Sequence, residues 1–181
     1  MIEGDVDLIQ VRAKRQPFDE IVHLARALHE ITSEVGIPLI VNDYAEVAAK
    51  VSVEGIHLGQ DDDSIAHARK KAGCDIHVGK STHSLEQAIA AEREGADYIG
   101  FGPIFATPTK PDYQPIGLTG IKRVQNEVTV PMFCIGGIKI DNLGQVIAAG
   151  AQRIAIVSGL LKATDVAKYA RACKALLNPE S

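Results

Sequence analysis

Short apolar runs rich in β-branched residues alternate along the chain with longer stretches in which apolar residues recur at helical spacing. The helical spacing is clearest in residues 17–35, 84–94 and 165–177. Each apolar run is followed by polar or glycine residues and then by a helical pattern, so the sequence predicts seven successive strand–helix units. The predicted strands are residues 6–11, 38–41, 55–58, 76–78, 98–101, 132–135 and 154–157.

The alternation of nearly continuous apolar strands with helices is typical of an α/β fold with a parallel sheet covered on both faces. Seven consecutive units favour a (β/α)8 barrel of the TIM-barrel type over an open, doubly wound sheet. The first predicted strand lies almost at the N-terminus, so we expect seven of the eight units, with the first strand–helix unit absent and two unpaired strand edges. No linker interrupts the series, and residues 1–181 are expected to form one domain.

Polar side chains follow the predicted strands at the end where parallel barrels place their active sites. Gln10, Arg12 and Lys14 alternate with two apolar residues at the end of the first strand, and this period-two spacing directs them to one side. Arg12 and Lys14 would supply fixed positive charge that suits a diphosphate. Isolated charges at a strand end are more often simply solvated, but three polar side chains on one side, beside two aspartates, favour a binding site.

Two aspartates close successive predicted strands. Asp43 directly follows a buried strand, and Asp62 follows the next strand along the chain. Two carboxylates, completed by phosphate oxygens and water, are a common magnesium site, so Asp43 and Asp62 are predicted to bind Mg²⁺. The alternative for Asp62 is compensation of a helix dipole, because residues 61–63 form an acidic run just before a helix. His57 lies within a strand and is expected to be a structural or pocket residue rather than a metal ligand.

Small residues end the last two predicted strands. Gly136 and Gly137 follow the sixth strand and leave backbone N–H groups unshielded by a Cβ atom. Val157 and Ser158 end the seventh strand in a similar way. The loops after the last two barrel strands commonly bind phosphate, so these four residues are predicted to form a phosphate cup. A strand-to-helix turn also favours glycine for conformational reasons alone, and this alternative stays open.

Residues 107–110, Thr-Pro-Thr-Lys, lie in the longest predicted strand-to-helix connection. Long loops of this kind in compact domains are often functional lids. Lys110, Thr107 and Thr109 would close over a phosphate and exclude water. The alternative is a proline-rich loop without a role in binding.

Composition limits the partners of the protein. The formal net charge is −4 at pH 7 and aromatic residues make up 4% of the chain, which disfavours nucleic-acid binding. Neither a signal peptide nor an apolar run of membrane-spanning length is visible, so we expect a cytoplasmic protein that acts on small molecules. Homo-oligomer formation is left open. Reduced thiols are expected at Cys74, Cys134 and Cys173, with the first two in the core.

Seven ordered segments resemble those of a known family. They are QVRAK (10–14), VND (41–43), HLGQDD (57–62), GKSTHS (79–84), ADYIGFGPIFATPTK (96–110), IGGI (135–138) and IVSG (156–159). Each motif is weak alone, but together they resemble the thiamine-phosphate synthase family of (β/α) barrels, which has the TenI-type thiazole tautomerases as close relatives. The resemblance extends along essentially the whole chain.

This resemblance implies a role for each matching residue. Mg²⁺ would be bound by Asp43 and Asp62. Catalytic contacts to the diphosphate would come from Arg12, Lys14, Ser81 and Lys110. Together with Arg12 and Lys14, Gln10 and Asn42 would hold the aminopyrimidine and its diphosphate. The thiazole phosphate would be lined by Thr107, Thr109, Gly136, Gly137, Val157 and Ser158.

The implied activity is a transferase reaction of thiamine biosynthesis, in which Mg²⁺-dependent condensation of hydroxymethylpyrimidine diphosphate with thiazole phosphate gives thiamine phosphate and diphosphate. Two alternatives are a thiazole tautomerase and a non-catalytic thiazole-phosphate-binding relative. The tautomerases carry a histidine in place of Pro103, so Pro103 and the two aspartates favour the synthase. The segment GKSTHSLEQA (79–88) resembles both branches.

Overall fold

Seven parallel strands form one curled sheet with helices between them. The computed structural model describes residues 1–108 and 113–178. The strands are β1 (Ile9–Val11), β2 (Leu39–Asn42), β3 (Gly55–Leu58), β4 (His77–Thr82), β5 (Tyr98–Phe101), β6 (Met132–Ile135) and β7 (Ile154–Ala155). The helices are α1 (Phe18–Glu34), α2 (Ala45–Val51), α3 (Ile65–Ala72), α4 (Leu85–Arg93), α5 (Ile121–Glu127), α6 (Ile140–Ala148), α7 (Ser158–Leu161) and α8 (Val166–Leu177), preceded by a 3-10 turn at Ile2–Gly4.

Each strand pairs with the next along the chain, so the spatial order of the described sheet runs from β1 to β7. All six pairs are parallel, which delivers the carboxyl ends of the strands to one edge of the sheet. The strands β1 and β7 lie at the two ends of this order. The structure therefore confirms the predicted α/β barrel class with seven strand–helix units.

The predicted strand bounds are correct for β3, β5 and β6, which have a paired neighbour on both sides. The two end strands are shorter than predicted, because each has a single neighbour in the described sheet: β1 begins at Ile9, and β7 ends at Ala155. The strand β4 extends beyond its predicted end to Thr82. Its polar residues were outside the apolar run, but their backbone pairs with β5, with Ser81 opposite Gly100.

The core lies between the sheet and the helices. Ile56, Val78 and Ile99, on three adjacent central strands, have no exposed surface. From the helix side, α1 contributes Ile21 and Ala25, which are 2% and 0% exposed. Each large apolar side chain buried in this way contributes about 1.5–3 kcal/mol to stability. This burial fixes which side of each central strand faces the helices, and the intervening residues face the inside of the barrel.

The three cysteines are free in the structure. Cys134 and Cys173 are buried, as expected for core thiols, but the predicted core position of Cys74 is wrong. Cys74 is exposed because it lies in the turn between α3 and β4 rather than in a strand. Burial raises the pKa of the Cys134 thiol to about 12, which keeps this thiol protonated and unreactive. Within the described ranges, no helix has both the length and the apolar character needed to cross a lipid bilayer.

The Asp97 carboxylate joins α3 to the starts of β4 and β5. Its Oδ2 accepts a hydrogen bond from the Val78 N–H at 2.6 Å and another from the Arg69 guanidinium at 2.7 Å. Arg69 also donates to the carbonyl of Gly95 at 3.0 Å. These contacts tie the connection before β5 to α3 and β4, and so they support the pairing of β4 and β5, which carry part of the site.

Replacement Asp97→Asn should lower the free energy of unfolding by about 1–2 kcal/mol, because a neutral amide accepts these hydrogen bonds more weakly than a carboxylate. Urea denaturation measures this difference. Asp75→Asn, at an exposed aspartate before β4, is the control and should change stability by less than about 0.5 kcal/mol. Equal stability of the two variants would contradict the proposed support.

Candidate active site

The carboxyl groups of Asp43 and Asp62, at the carboxyl ends of β2 and β3, lie close enough for each to shift the pKa of the other. Backbone groups hold both residues in place. The Asp43 N–H donates to the His57 carbonyl at 2.8 Å, and Asp43 has a left-handed backbone with a φ of 68°. The Gly59 N–H donates to Asp62 Oδ2 at 2.6 Å. The structure thus brings together the two aspartates that the sequence predicts as metal ligands.

Lys14 contacts this acidic pair, with its Nζ 2.6 Å from Asp43 Oδ2. Burial raises the pKa of Asp43; Lys14 lowers it and Asp62 raises it, and the net direction is upward. Burial also raises the pKa of Asp62, but its contacts with Asp43 and Gly59 and the charges of Lys14 and Lys80 outweigh that effect, so its pKa is lowered. Ionisation of both carboxyl groups is therefore unfavourable unless another positive charge binds beside them.

Two adjacent carboxylates fit a hard divalent cation. In residues 1–108 and 113–178, no group of three or more His, Cys, Asp or Glu side chains is placed to hold a metal. From these residues the ligand set would therefore be Asp43 and Asp62, completed by oxygens of substrate and water. Such a set suits Mg²⁺, which usually keeps several waters and binds phosphate oxygens together with one or two carboxylates.

Lys80 is a buried cation near this pair that the sequence analysis missed. It is 7% exposed and lines a cavity of about 280 Å³ together with Asp62, Gln60 and residues of α4. Its charge contributes to the lowered pKa of Asp62. Recognition of residues 79–82 as part of a strand would have placed Lys80 on the helix side, since it alternates with Gly79 and Ser81.

The other predicted ligands on β1 and β2 differ in their surroundings. Gln10, on β1, and Arg12, directly after β1, are exposed at one end of the described sheet. Asn42 is 8% exposed, and its Nδ2 has no hydrogen-bond partner within the described part of the chain. A buried donor without an acceptor costs about 1–3 kcal/mol. Asn42 therefore points to a ligand that would supply the acceptor.

Ser81 belongs to a chain of hydrogen bonds that the sequence analysis did not predict. Its Oγ lies 2.9 Å from His57 Nε2, and His57 Nδ1 lies 3.2 Å from Tyr98 Oη. His57 is 9% exposed, so its ring forms part of the buried wall next to Ser81. The signal available in the sequence was Gly79, because glycine inside a strand often marks the close approach of another group.

The loops after β5 and β6 pack on each other at the predicted phosphate cup. Gly136 and Gly137 have positive φ angles of 99° and 65°, which favour glycine. The Phe105 N–H donates to the Gly136 carbonyl at 3.0 Å. A Cβ atom on Gly137 would lie 2.6 Å from the Ala106 carbonyl oxygen. Both the backbone conformation and the close packing therefore require glycine here.

The remaining predicted residues on the phosphate side lie in the loops after β5 and β7. Val157 is 43% exposed, and Ser158 begins α7. Thr107 is half-buried and lines a cavity of about 410 Å³ with Tyr113 and neighbouring loop residues. The predicted ligands Thr109 and Lys110 lie outside the described residues.

Comparison with known proteins identifies the family. A family model described as thiamine monophosphate synthase matches residues 1–160. A relative named thiamine-phosphate synthase, from Halalkalibacterium halodurans, is 46% identical over 166 residues, which cover 91% of this chain and 79% of the relative. Another of the same name, from Chloroflexus aurantiacus, is 43% identical over 178 residues, which cover 98% of this chain and 82% of the relative.

Solved structures show the same relationship. A thiamine phosphate pyrophosphorylase from Pyrococcus furiosus matches with a TM-score of 0.91 at 34% identity, over 98% of this chain and 86% of that one. A structure described as native KDPGal matches with a TM-score of 0.74 at 17% identity, over 98% of this chain and 84% of that one, and so shares the fold alone. With a family match over most of its length and relatives above 40% identity, the chain belongs to the thiamine monophosphate synthase family.

Proposed function

We propose that the chain catalyses the Mg²⁺-dependent condensation of hydroxymethylpyrimidine diphosphate with thiazole phosphate, giving thiamine phosphate and diphosphate in thiamine biosynthesis. Family membership and relatives named thiamine-phosphate synthase support this transferase activity. The observation that carries the proposal is the contact between Asp43 and Asp62, with the Lys14 ammonium 2.6 Å from Asp43. Two carboxylates and an ammonium at the carboxyl edge of the sheet suit a diphosphate bound with magnesium.

The proposed roles on the diphosphate side follow from charge. Asp43 and Asp62 would hold Mg²⁺, which when bound neutralises charge on the departing diphosphate. Arg12 and Lys14 bind the diphosphate oxygens, and Ser81 contributes a hydrogen bond. Asn42 provides its buried amide donor to the same substrate. Two further predicted contacts come from Gln10 and Lys110.

The reaction proceeds by departure of the diphosphate and capture of the remaining carbon. The C–O bond to the diphosphate breaks, and the electron pair leaves with the oxygen, so the methylene carbon becomes a cation that the aminopyrimidine ring stabilises. The thiazole nitrogen then donates its lone pair to this carbon and forms the C–N bond. Arg12 and Lys14 stabilise the charge that develops on the leaving group. Little acid–base catalysis is needed, and positioning and exclusion of water are the main contributions of the protein.

The thiazole phosphate is proposed to bind at the loops after β5, β6 and β7. There its phosphate fixes the ring so that the nitrogen faces the reacting carbon. The packing of Phe105 and Ala106 against the glycine turn keeps these loops in contact with each other. The proposed lining residues are Thr107, Thr109, Gly136, Gly137, Val157 and Ser158.

Chelation should separate the synthase from the two alternative functions. We expect diphosphate release from the two substrates to stop with EDTA and to return with added Mg²⁺, because the acidic pair then lacks its cation. Coupled detection of released diphosphate measures this activity. Isomerisation of a thiazole phosphate that EDTA does not affect would favour a tautomerase, although Pro103 argues against it. Binding of thiazole phosphate in calorimetry, with no turnover in either assay, would favour a non-catalytic relative.

Replacement Asp62→Asn should reduce kcat/KM by roughly 100-fold and raise the Mg²⁺ concentration needed for half-maximal rate, because it removes one of two anionic ligands. The amide oxygen can still accept from the Gly59 N–H, so the loop should keep its conformation. Steady-state kinetics over a magnesium series gives both quantities. Asp61→Asn, at the exposed neighbour, is the matched control, and an equal loss in the two variants would contradict the assignment.

Replacement Gly136→Ala should raise the KM for thiazole phosphate by roughly tenfold, with a smaller effect on the pyrimidine substrate. Alanine is strained at a φ of 99° and would press on Pro103, so stability should also fall by about 1–3 kcal/mol. The control Gly144→Ala lies inside α6 where a Cβ atom meets nothing within 4 Å, and it should be neutral or stabilising. An unchanged KM for thiazole phosphate in Gly136→Ala would exclude the cup as its site.

A further inference from the structure

Three neighbouring residues, one each on β3, β4 and β5, form a row across the sheet next to Ser81. The pairing registers place His57 opposite Gly79, and Gly79 opposite Tyr98. The Tyr98 ring occupies the space beside Gly79, where any Cβ atom would overlap it. The missing side chain therefore lets His57 on β3 and Tyr98 on β5 meet across β4, with ring centroids 5.5 Å apart.

A second glycine opens the space for His57. Gly100 lies opposite Ser81 in the register, and a Cβ atom on Gly100 would lie 3.2 Å from His57 Cε1. The ring of Tyr98 is further packed edge-on against Phe133, with centroids 5.6 Å apart. Both rings are therefore held by the sheet, and the hydrogen bonds from Tyr98 through His57 to Ser81 have a fixed geometry.

The distances alone fit either direction of these hydrogen bonds, and the Tyr98 phenol can serve as the donor at one end. Burial raises the pKa of the Tyr98 hydroxyl, and Asp97 raises it further, so Tyr98 keeps its proton. A phenol O–H that donates to His57 Nδ1 leaves the proton of the neutral imidazole on Nε2. The Nε2–H then donates to Ser81 Oγ, at 2.9 Å. With one of its lone pairs used in this way, Ser81 is free to direct its own proton elsewhere.

We propose that His57 is a positioning residue that, held by Tyr98, makes Ser81 a hydrogen-bond donor towards an anionic oxygen of the diphosphate substrate. In the opposite arrangement Ser81 would donate to His57 Nε2 and would present only lone pairs, which repel phosphate oxygens. This inference rests on the proposed function, because it needs an anion beside Ser81. It goes beyond that function by assigning roles to His57, Tyr98 and the glycines that make room for them.

The tautomer of His57 is the first test and needs no turnover. Nitrogen-15 NMR of the protein with labelled histidine should show the His57 tautomer with the proton on Nε2. In Tyr98→Phe, which keeps the ring packing but removes the donor, the two tautomers should become mixed. A wild-type tautomer with the proton on Nδ1, or a tautomer unchanged in Tyr98→Phe, would overturn the proposal.

A double-mutant cycle tests whether the effect passes through Ser81. Calorimetry with inorganic diphosphate and Mg²⁺ should give roughly 3- to 10-fold weaker binding for Tyr98→Phe than for wild type, as expected for loss of one oriented hydrogen bond. In a Ser81→Ala background the same change should have no further effect. An equal loss in both backgrounds would show a merely structural role and would overturn the proposal.

The outcomes separate this inference from the proposed function. Absence of condensation activity, with the tautomer and the coupling as expected, would overturn the synthase assignment alone. An active enzyme with additive losses in the cycle would overturn the role of His57 alone. Failure of the wild-type protein to bind diphosphate in the presence of Mg²⁺ would overturn both.

Discussion

The register of the parallel sheet is the constraint on which the candidate site depends. It sets Asn42 opposite His57, His57 opposite Gly79 and Gly79 opposite Tyr98. A slip of one residue in β3 would turn His57 towards the helices and bring the adjacent apolar side chains inside the barrel. Complete burial of residues such as Ile56 opposes that slip, because exposing each one would cost about 1.5–3 kcal/mol. The apolar layer beneath the helices thus positions the polar groups on the other face.

Much of the fold follows from local signals in the sequence. The predicted helices 17–35, 84–94 and 165–177 agree with α1, α4 and α8 to within one residue at each end. Two of them begin after residues whose side chains cap the helix: Ser84 accepts from an N–H of α4, and Asp165 from an N–H of α8. The errors lie where an apolar run and backbone pairing do not coincide, as in the polar end of β4 and the short strands at the ends of the sheet.

In the site, the sequence could predict only those contacts that follow from the position of a residue at the end of a strand. Asp43 and Asp62 follow successive strands, and parallel pairing brings successive strand ends together, so their proximity could be expected. The contact between His57 and Tyr98 crosses an intervening strand and depends on register, which apolar runs do not specify. Lys80 was missed for a related reason. Its polar neighbours did not indicate a strand, and it is the strand conformation that directs the Lys80 side chain towards the helices.

The acidic pair shows that this edge of the sheet favours ligand binding at a cost to the stability of the fold. Two carboxyl groups in contact repel when both are ionised, and the partial burial of both raises that cost. Next to them, the buried amide donor of Asn42 has no partner among the described residues, and Asp43 adopts a left-handed backbone. Each feature is unfavourable in the isolated chain, and such features concentrate where a ligand relieves them. A divalent cation and an anionic substrate would relieve the repulsion, and the substrate would also supply the missing acceptor. The free energy of binding the cation and the substrate together should therefore be more favourable than the sum of their separate binding free energies.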